Sequence, residues 1–205
     1  MVDAAKPSLP TGFKGGSFFS GTCVKSNCFA TGSYTTDTTD SGSYYPIDNA
    51  LPLMARSQNG GKTWTYVLDG SHPSLPKDYK NGGLGSISCT ALSCVAVGSY
   101  DSYPLAAHSK DGGETWGYVI DSTRPQLPAD YNFGKLNGVS CKGLHCVAVG
   151  DYFDLGTGNI THPLLANSSD GGASWEYVID GSFDKYPADY KLGSFSSVSC
   201  SDRLV

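Results

Sequence analysis

Six of the seven cysteines fall in three C-x4-C pairs, Cys23/Cys28, Cys89/Cys94 and Cys141/Cys146. Thiols at this spacing have two obvious chemistries. Two pairs brought together could hold a tetrahedral zinc ion. Each pair alone could staple a short hairpin, because facing cysteines on antiparallel strands satisfy disulfide geometry. Pairs in separate repeats stay apart, so three disulfides are expected, no metal, and an oxidising compartment. The four histidines, His72, His108, His145 and His162, show no ligand spacing. Asp37, Asp40 and Asp48 lack the calcium-loop pattern. Only three arginines (Arg56, Arg124, Arg203) and two glutamates (Glu114, Glu176) are present. No cofactor is expected.

The elements that must position these groups recur along the chain. Three copies align through Cys-(x4)-Cys-x-Ala-x-Gly-x-Tyr, a Pro-Leu segment and a Trp followed by Tyr-Val-Ile/Leu-Asp. The Pro-to-Trp distance is 12 residues in every copy, and each Trp is followed 25 residues later by the next copy's first Cys. Only the Tyr-to-Pro stretch varies, at 18, 4 and 11 residues, which accounts for repeat lengths of 66, 52 and 59. Each copy reads as four short strands, as in Ser86–Cys89, Cys94–Val97, Pro104–His108 and Trp116–Ile120, rich in β-branched and aromatic residues and bounded by Gly, Asp, Ser and Pro. No segment carries a sustained helical period. The expected fold is all-β, a propeller of four-stranded antiparallel blades. One repeat domain spans 1–205, with blade 1 at about 16–70, blade 2 at about 83–121, blade 3 at about 135–180 and the first strand of a fourth at 194–205. A β-sandwich or solenoid is disfavoured by the fixed 25-residue return.

Three stretches, Ser57-Gln-Asn59-Gly-Gly61-Lys-Thr63-Trp64, Ser109-Lys-Asp111-Gly-Gly113-Glu-Thr115-Trp116 and Ser168-Ser-Asp170-Gly-Gly172-Ala-Ser174-Trp175, resemble the Asp-box or BNR repeat, S/T-x-D-x-G-x-T-W. Proteins with this motif include sialidases, sortilin-like receptors and photosystem assembly factors, and nearly all are propellers. The residues suit the turn: the acid, or Asn59, accepts backbone N–H groups, the glycines supply positive φ, and Trp64, Trp116 or Trp175 packs between blades. The resemblance places this turn away from the catalytic face, so it implies fold and not activity. It also implies that a sialidase would need three arginines around a carboxylate, a Tyr/Glu nucleophile pair and an acid/base Asp. No such residue can be carried over, and an F/Y-R-I-P motif is absent.

In such a topology, connections between strands one and two and between three and four share one face. The opposite face gathers the length-variable strand 2–3 connections and a recurring Pro-x-Asp-Tyr link, at Pro76–Tyr79, Pro128–Tyr131 and Pro187–Tyr190. Variable loops on a constant scaffold are where binding concentrates. The candidate ligand residues are therefore Tyr34, Tyr44, Tyr45, Tyr100, Tyr103, Tyr152 and Phe153, whose rings could stack on sugars or peptides; a merely solvated loop is the competing reading. Asn159 and Asn167 lie in glycosylation sequons.

The net charge of −5 offers no basic field for nucleic acid, and no apolar run reaches a membrane span. Residues 1–6 lack the apolar core of a signal peptide, so the chain is either not exported or a mature form with an added Met, and the cysteine pairs favour the second. Cys200 opens a fourth copy, but Val205 stands where its partner should be. A cut chain is expected there, with an altered end or an intermolecular bond as alternatives. The functional expectation is a secreted, periplasmic or surface-held binding or adhesion module for glycan or protein. The alternatives are a fragment of an Asp-box glycoside hydrolase, or an assembly subunit closing its ring as a homo-oligomer or with further blades.

Overall fold

The computed structural model describes residues 9–36, 49–68, 70, 73–91, 93–154, 160–179, 190 and 192–201. These form twelve strands and no helix: β1 (Gly15–Val24), β2 (Asn27–Thr35), β3 (Ala50–Ser57), β4 (Thr65–Leu68), β5 (Gly82–Cys89), β6 (Cys94–Tyr100), β7 (Tyr103–Ser109), β8 (Gly117–Ile120), β9 (Tyr131–Lys142), β10 (His145–Asp154), β11 (Thr161–Ser168) and β12 (Glu176–Ile179). They build three four-stranded antiparallel meanders, β1–β4, β5–β8 and β9–β12, in sequence order. These are propeller blades. The fourth strand of each begins one residue after the Trp, because the Trp indole closes the turn rather than entering the ladder: each Nε1–H donates to the second glycine's carbonyl, at 3.0 Å (Trp64), 3.3 Å (Trp116) and 2.9 Å (Trp175).

The strands are apolar on both sides because both sides are covered. In β6, Cys94, Ala96 and Tyr100 join a cluster with Phe29, Met54 and Leu68 of the preceding blade. Val95 and Val97 of the same strand join Leu136, Val139 and Ala148 of the following blade. Alternate side chains thus serve alternate interfaces, which is the period-2 geometry of a strand applied to a stack of sheets. Trp116 meets Phe29 edge-to-face at 6.2 Å, placing the Asp-box ring between blades 1 and 2.

Hydroxyls tie neighbouring blades at the innermost strands. Ser88 Oγ accepts the Cys141 N–H at 2.9 Å and Ser86 Oγ accepts the Val139 N–H at 3.3 Å. Residues 192–200 continue the pattern, with the Cys200 N–H on Ser140 Oγ at 2.9 Å. They occupy the seat of a first strand in a fourth blade.

Candidate ligand-binding face

The hairpin and Asp-box ends share one face, and its geometry repeats closely. The three cysteine pairs, Cys23–Cys28, Cys89–Cys94 and Cys141–Cys146, are disulfide-bonded and directly opposite one another in register, with Cα–Cα distances of 4.0, 4.1 and 4.0 Å. Thiolate zinc ligation by these pairs is thereby set aside. Each staple closes its hairpin as the spacing implies, and half of each staple belongs to the core. Cys28, Cys94 and Cys146, at the head of strand 2, are buried. Cys94 packs in the cluster between blades 1 and 2 and Cys146 in that between blades 2 and 3. Their partners Cys89 and Cys141 are half-buried, whereas Cys23 is exposed because no described blade precedes it.

In the second Asp-box, Asp111 Oδ1 accepts the Glu114 and Thr115 N–H groups, each at 2.9 Å, and Ser109 Oγ accepts the Gly113 N–H at 2.8 Å. Bonds from the Thr115 hydroxyl and amide hold the Asp111 carboxyl down at about 2. Burial pushes the Asp170 carboxyl up, but the Ser174 and Ser168 bonds outweigh it and bring it to about 2. In the first box Asn59 accepts the Thr63 N–H at 2.9 Å, so an amide fills the same role.

The opposite face carries the strand 2–3 ends and the links between blades. The link tyrosines fasten it: Tyr79 donates to the Ala50 carbonyl at 3.0 Å, Tyr131 to that of Ser102, and Tyr190 to that of Thr161 at 3.2 Å. A fourth, altered link escaped the sequence reading. Pro10 and Phe13 pair by the same Pro C=O to aromatic N–H bond, at 3.0 Å, as Pro76 with Tyr79 and Pro128 with Tyr131. Its signal was Leu-Pro-x-x-aromatic at residues 9–13, hidden because Gly12 and Phe13 stand where Asp and Tyr recur.

Three ligand candidates require correction. Tyr100 and Tyr152 are fully buried and Tyr34 nearly so (4% exposed). They are core residues, and of the three only Tyr34 reaches the lining of the cavity among the innermost strands, so Tyr100 and Tyr152 present no ring to a ligand there. The Tyr100 hydroxyl accepts the Ser122 N–H at 2.8 Å and donates to Asp78 at 3.2 Å, while Tyr152 donates to Asp130 at 3.1 Å. The link Asp therefore holds the next blade's Tyr. Tyr103 is half-buried within a continuous aromatic file: Tyr79–Tyr100 (5.4 Å), Tyr100–Tyr103 (5.6 Å), Tyr103–Tyr131 (6.3 Å), Tyr131–Tyr152 (5.5 Å) and Tyr152–His162 (5.2 Å). Burial drives the Tyr79 and Tyr131 hydroxyls far above their ordinary values, so both stay protonated donors. Phe153 is half-buried and stacks at 4.3 Å on Phe133, which is 40% exposed and was missed because other copies carry no aromatic there. Tyr44 and Tyr45 lie outside the described residues, as do Asp37, Asp40, Asp48, His72, Asn159 and Arg203.

A cavity of about 630 Å³ opens among the innermost strands and reaches Thr35 and Ala50, which bracket the longest variable connection. Ser17, Ser33, Ser99, Asn137 and glycine backbone supply hydrogen-bonding groups, with Phe19 and Lys135 as its exposed apolar and cationic members. Asn137 is fixed by Asp151 at 2.7 Å and by the Phe195 carbonyl at 2.9 Å. A second cavity, of about 690 Å³, lies between residues 73–78 and the β8 edge. Arg124 partly closes that edge by donating to the Tyr118 carbonyl at 3.0 Å. Arg56 is buried on the other face, paired with Glu114 at 2.7 Å. Neither of the two described arginines lines the first cavity, and no cluster of His, Cys, Asp or Glu suited to a metal occurs among the described residues.

No protein-family model matches the chain. No curated protein matches it either. Solved structures do. The Trypanosoma rangeli sialidase complexed with 2,3-difluorosialic acid as a covalent intermediate superposes with a TM-score of 0.50 at 14% identity, covering 82% of this chain and 30% of that one. This is a sialidase-like β-propeller fold. YCF48 from Cyanidioschyzon merolae is similar at 18% identity and a TM-score of 0.49, over 86% of this chain and 43% of that one. Zg3597, a family 117 glycoside hydrolase from Zobellia galactanivorans, matches at 13% identity and a TM-score of 0.45, over 84% and 58%. The propeller described here thus spans less than two thirds of the length of each of these chains.

Proposed function

We propose that this chain is a non-catalytic binding or adhesion propeller of an exported protein, recognising glycan or protein through its variable-loop face. The observation that carries the reading is the cavity bordered by Thr35 and Ala50. Its described lining offers hydroxyls, one amide, glycine backbone, an exposed phenyl ring and one ammonium group, and includes no carboxylate. Such a set positions a ligand by hydrogen bonds and stacking, and supplies no acid/base pair for glycoside hydrolysis. The three disulfides support export.

A partner blade on the outer side of blade 1 also fits. Phe18 is 37% and Phe19 60% exposed on β1, whereas Leu84 and Leu136, which face the strand 2 glycine as Phe18 does, are buried against a preceding blade. Further blades, of this chain or of a second copy, would cover them.

The test is retention of the protein on glycan and cell-surface protein arrays, comparing the parent with Phe19→Ala and Lys135→Glu. Loss of about tenfold in retention, with unchanged unfolding midpoints, supports the reading. Retention indifferent to both substitutions, or release of sugar from a fluorogenic glycoside, overturns it.

A further inference from the structure

The joint between blades 1 and 2 and the joint between blades 2 and 3 are built on one plan and filled differently. Arg56, Gln58 and Thr65 of blade 1 correspond to His108, Lys110 and Gly117 of blade 2, and Glu114 of the second Asp-box corresponds to Ala173 of the third. At the first joint a carboxylate sits at the centre. Glu114 Oε1 lies 2.7 Å from the Arg56 guanidinium and accepts from the Gln58 amide at 3.4 Å. Arg56 is buried, with its guanidinium over the Phe29 ring at 5.8 Å.

At the second joint that carboxylate is missing and its space is open. Ala173 ends at a methyl group, and Gly117 stands in place of Thr65; a Cβ added to Gly117 would meet no atom within 4 Å. A cavity of about 330 Å³ lies there, walled by Trp116, Tyr118 and Val119 and bordered by His108, Lys110 and Ala173. Positive charge remains on its rim. Lys110 is exposed and makes no ion pair among the described residues. Its ammonium is near enough to His108 to lower the imidazole pKa, second to burial. Asp170, which pulls that pKa the other way, does not line the cavity. Its carboxylate is engaged within its own turn, by the N–H groups of Ala173 and Ser174 and the hydroxyls of Ser168 and Ser174.

We propose that this cavity is a carboxylate site, taking a small acid with a short hydrocarbon body. The Lys110 ammonium pairs with the acid, and the Trp116 and Tyr118 rings cover the hydrocarbon. The ligand brings from outside what Glu114 supplies at the first joint. Apolar walls strengthen such a pair relative to one on open surface, where screening leaves it little net worth. A free short-chain acid and the side chain of a partner's glutamate present this same chemistry. The site shares no lining residue with the cavity at Thr35 and Ala50, so it stands apart from the binding role proposed above.

The test titrates the isotope-labelled chain with sodium butyrate, and with butyramide at matched ionic strength, following the NMR signals of the Trp116 indole N–H and the Ala173 amide. Butyrate is expected to saturate both signals with a midpoint of about 10 mM, and butyramide to bind at least about tenfold more weakly. Ala173→Glu, which fills the space with a tethered carboxylate, and Lys110→Gln should each weaken butyrate about tenfold while the unfolding midpoint holds. Acetyl-Gly-Glu-Gly-amide assigns the source: tighter binding than butyrate points to a partner's glutamate, weaker binding to a free acid. Equal responses to butyrate and butyramide, or butyrate saturation unmoved by both substitutions, would overturn the proposal.

Discussion

The two faces of the propeller follow opposite rules. On the Asp-box face, three turns of different sequence converge on the same bonds: the second glycine's N–H reaches the serine Oγ at 2.8, 2.8 and 2.9 Å in blades 1, 2 and 3. On the other face, the strand 2–3 connection is the tight turn at Asp101-Ser102 in blade 2 but far longer in blades 1 and 3. Directly beneath that variation lies a layer as regular as the Asp-boxes, in which each described link Asp holds the next blade's buried Tyr. On this face, variation in length is confined to the outermost layer. A site built there can change its ligand without disturbing the blades.

The sharpest way to break this comparison is to cut into the layer below the loops. Tyr100→Ala removes a fully buried ring stacked on Tyr79 and is expected to cost about 3–5 kcal/mol in urea unfolding. Tyr100→Phe keeps the ring but strands the Ser122 N–H and leaves Asp78 only the Ser122 hydroxyl, for about 1–3 kcal/mol. If Tyr100→Ala instead left stability intact and abolished ligand retention, the residue would be a binding group and the two-layer picture would fail. Opening one staple on the other face is smaller: Cys89→Ala with Cys94→Ala should cost about 2 kcal/mol, because the loop it closes is short.

The Asp-boxes give a finer test. Asn59 shows that an amide suffices at the turn, so Asp111→Asn should change stability by less than about 0.5 kcal/mol near neutral pH, and Asp111→Ala by about 1–2 kcal/mol, as for a lost cap. The acid limb separates the two residues. Asp111 and Asp170 titrate at about 2 in the fold, below the ordinary carboxylate value. The stability they contribute is complete above the unfolded value and is lost as pH falls toward about 2. The double variant D111N/D170N should therefore show a flatter decline of the urea midpoint between about pH 4 and pH 2. An unchanged slope would mean that these carboxylates do not govern the acid limb.

How much of this was legible follows from where each residue's partners lie. The Asp-box and the C-x4-C hairpin are complete within a few residues, so their spacing discloses their geometry. The burial of Cys28, Cys94 and Cys146 was not disclosed, because it comes from how the blades stack and not from the hairpin itself. The strand 2 tyrosines were misjudged because their partners are remote: Asp78 lies 22 residues before Tyr100 and Ser122 lies 22 after it. A tyrosine beside a variable connection reads as surface until that link is folded over it. The blade-to-blade connectors were invisible for another reason. Arg56, His108 and Asn167 occupy one structural position, pairing with Thr65, Gly117 and Glu176 across strands three and four. Their chemistry differs, so no letter repeats.

That position makes the smallest and most specific prediction. Arg56 crosses to the next blade's Asp-box and pairs with Glu114 at 2.7 Å. His108 in the next blade is buried and lies 3.2 Å from Ser93 Oγ, whose hydroxyl donates to the Gly171 carbonyl of the third Asp-box. With the Ser93 hydroxyl hydrogen directed at that carbonyl, His108 Nε2–H is left to donate to Ser93 Oγ. Burial first and Lys110 second lower its pKa, against an upward pull from Asp170. A folded value below the ordinary one means that the unfolded chain binds protons more readily. The joint's contribution is therefore complete above the ordinary histidine range and lost as pH falls through it. Stability measured from pH 7.5 to 5.5 should decline more gently in His108→Asn than in the parent, with the acid limb below about pH 4 unchanged. If both proteins decline in parallel across that window, the joint between blades 2 and 3 does not sense protons. The difference between an ion pair at one interface and an imidazole at the next would then be one of packing alone.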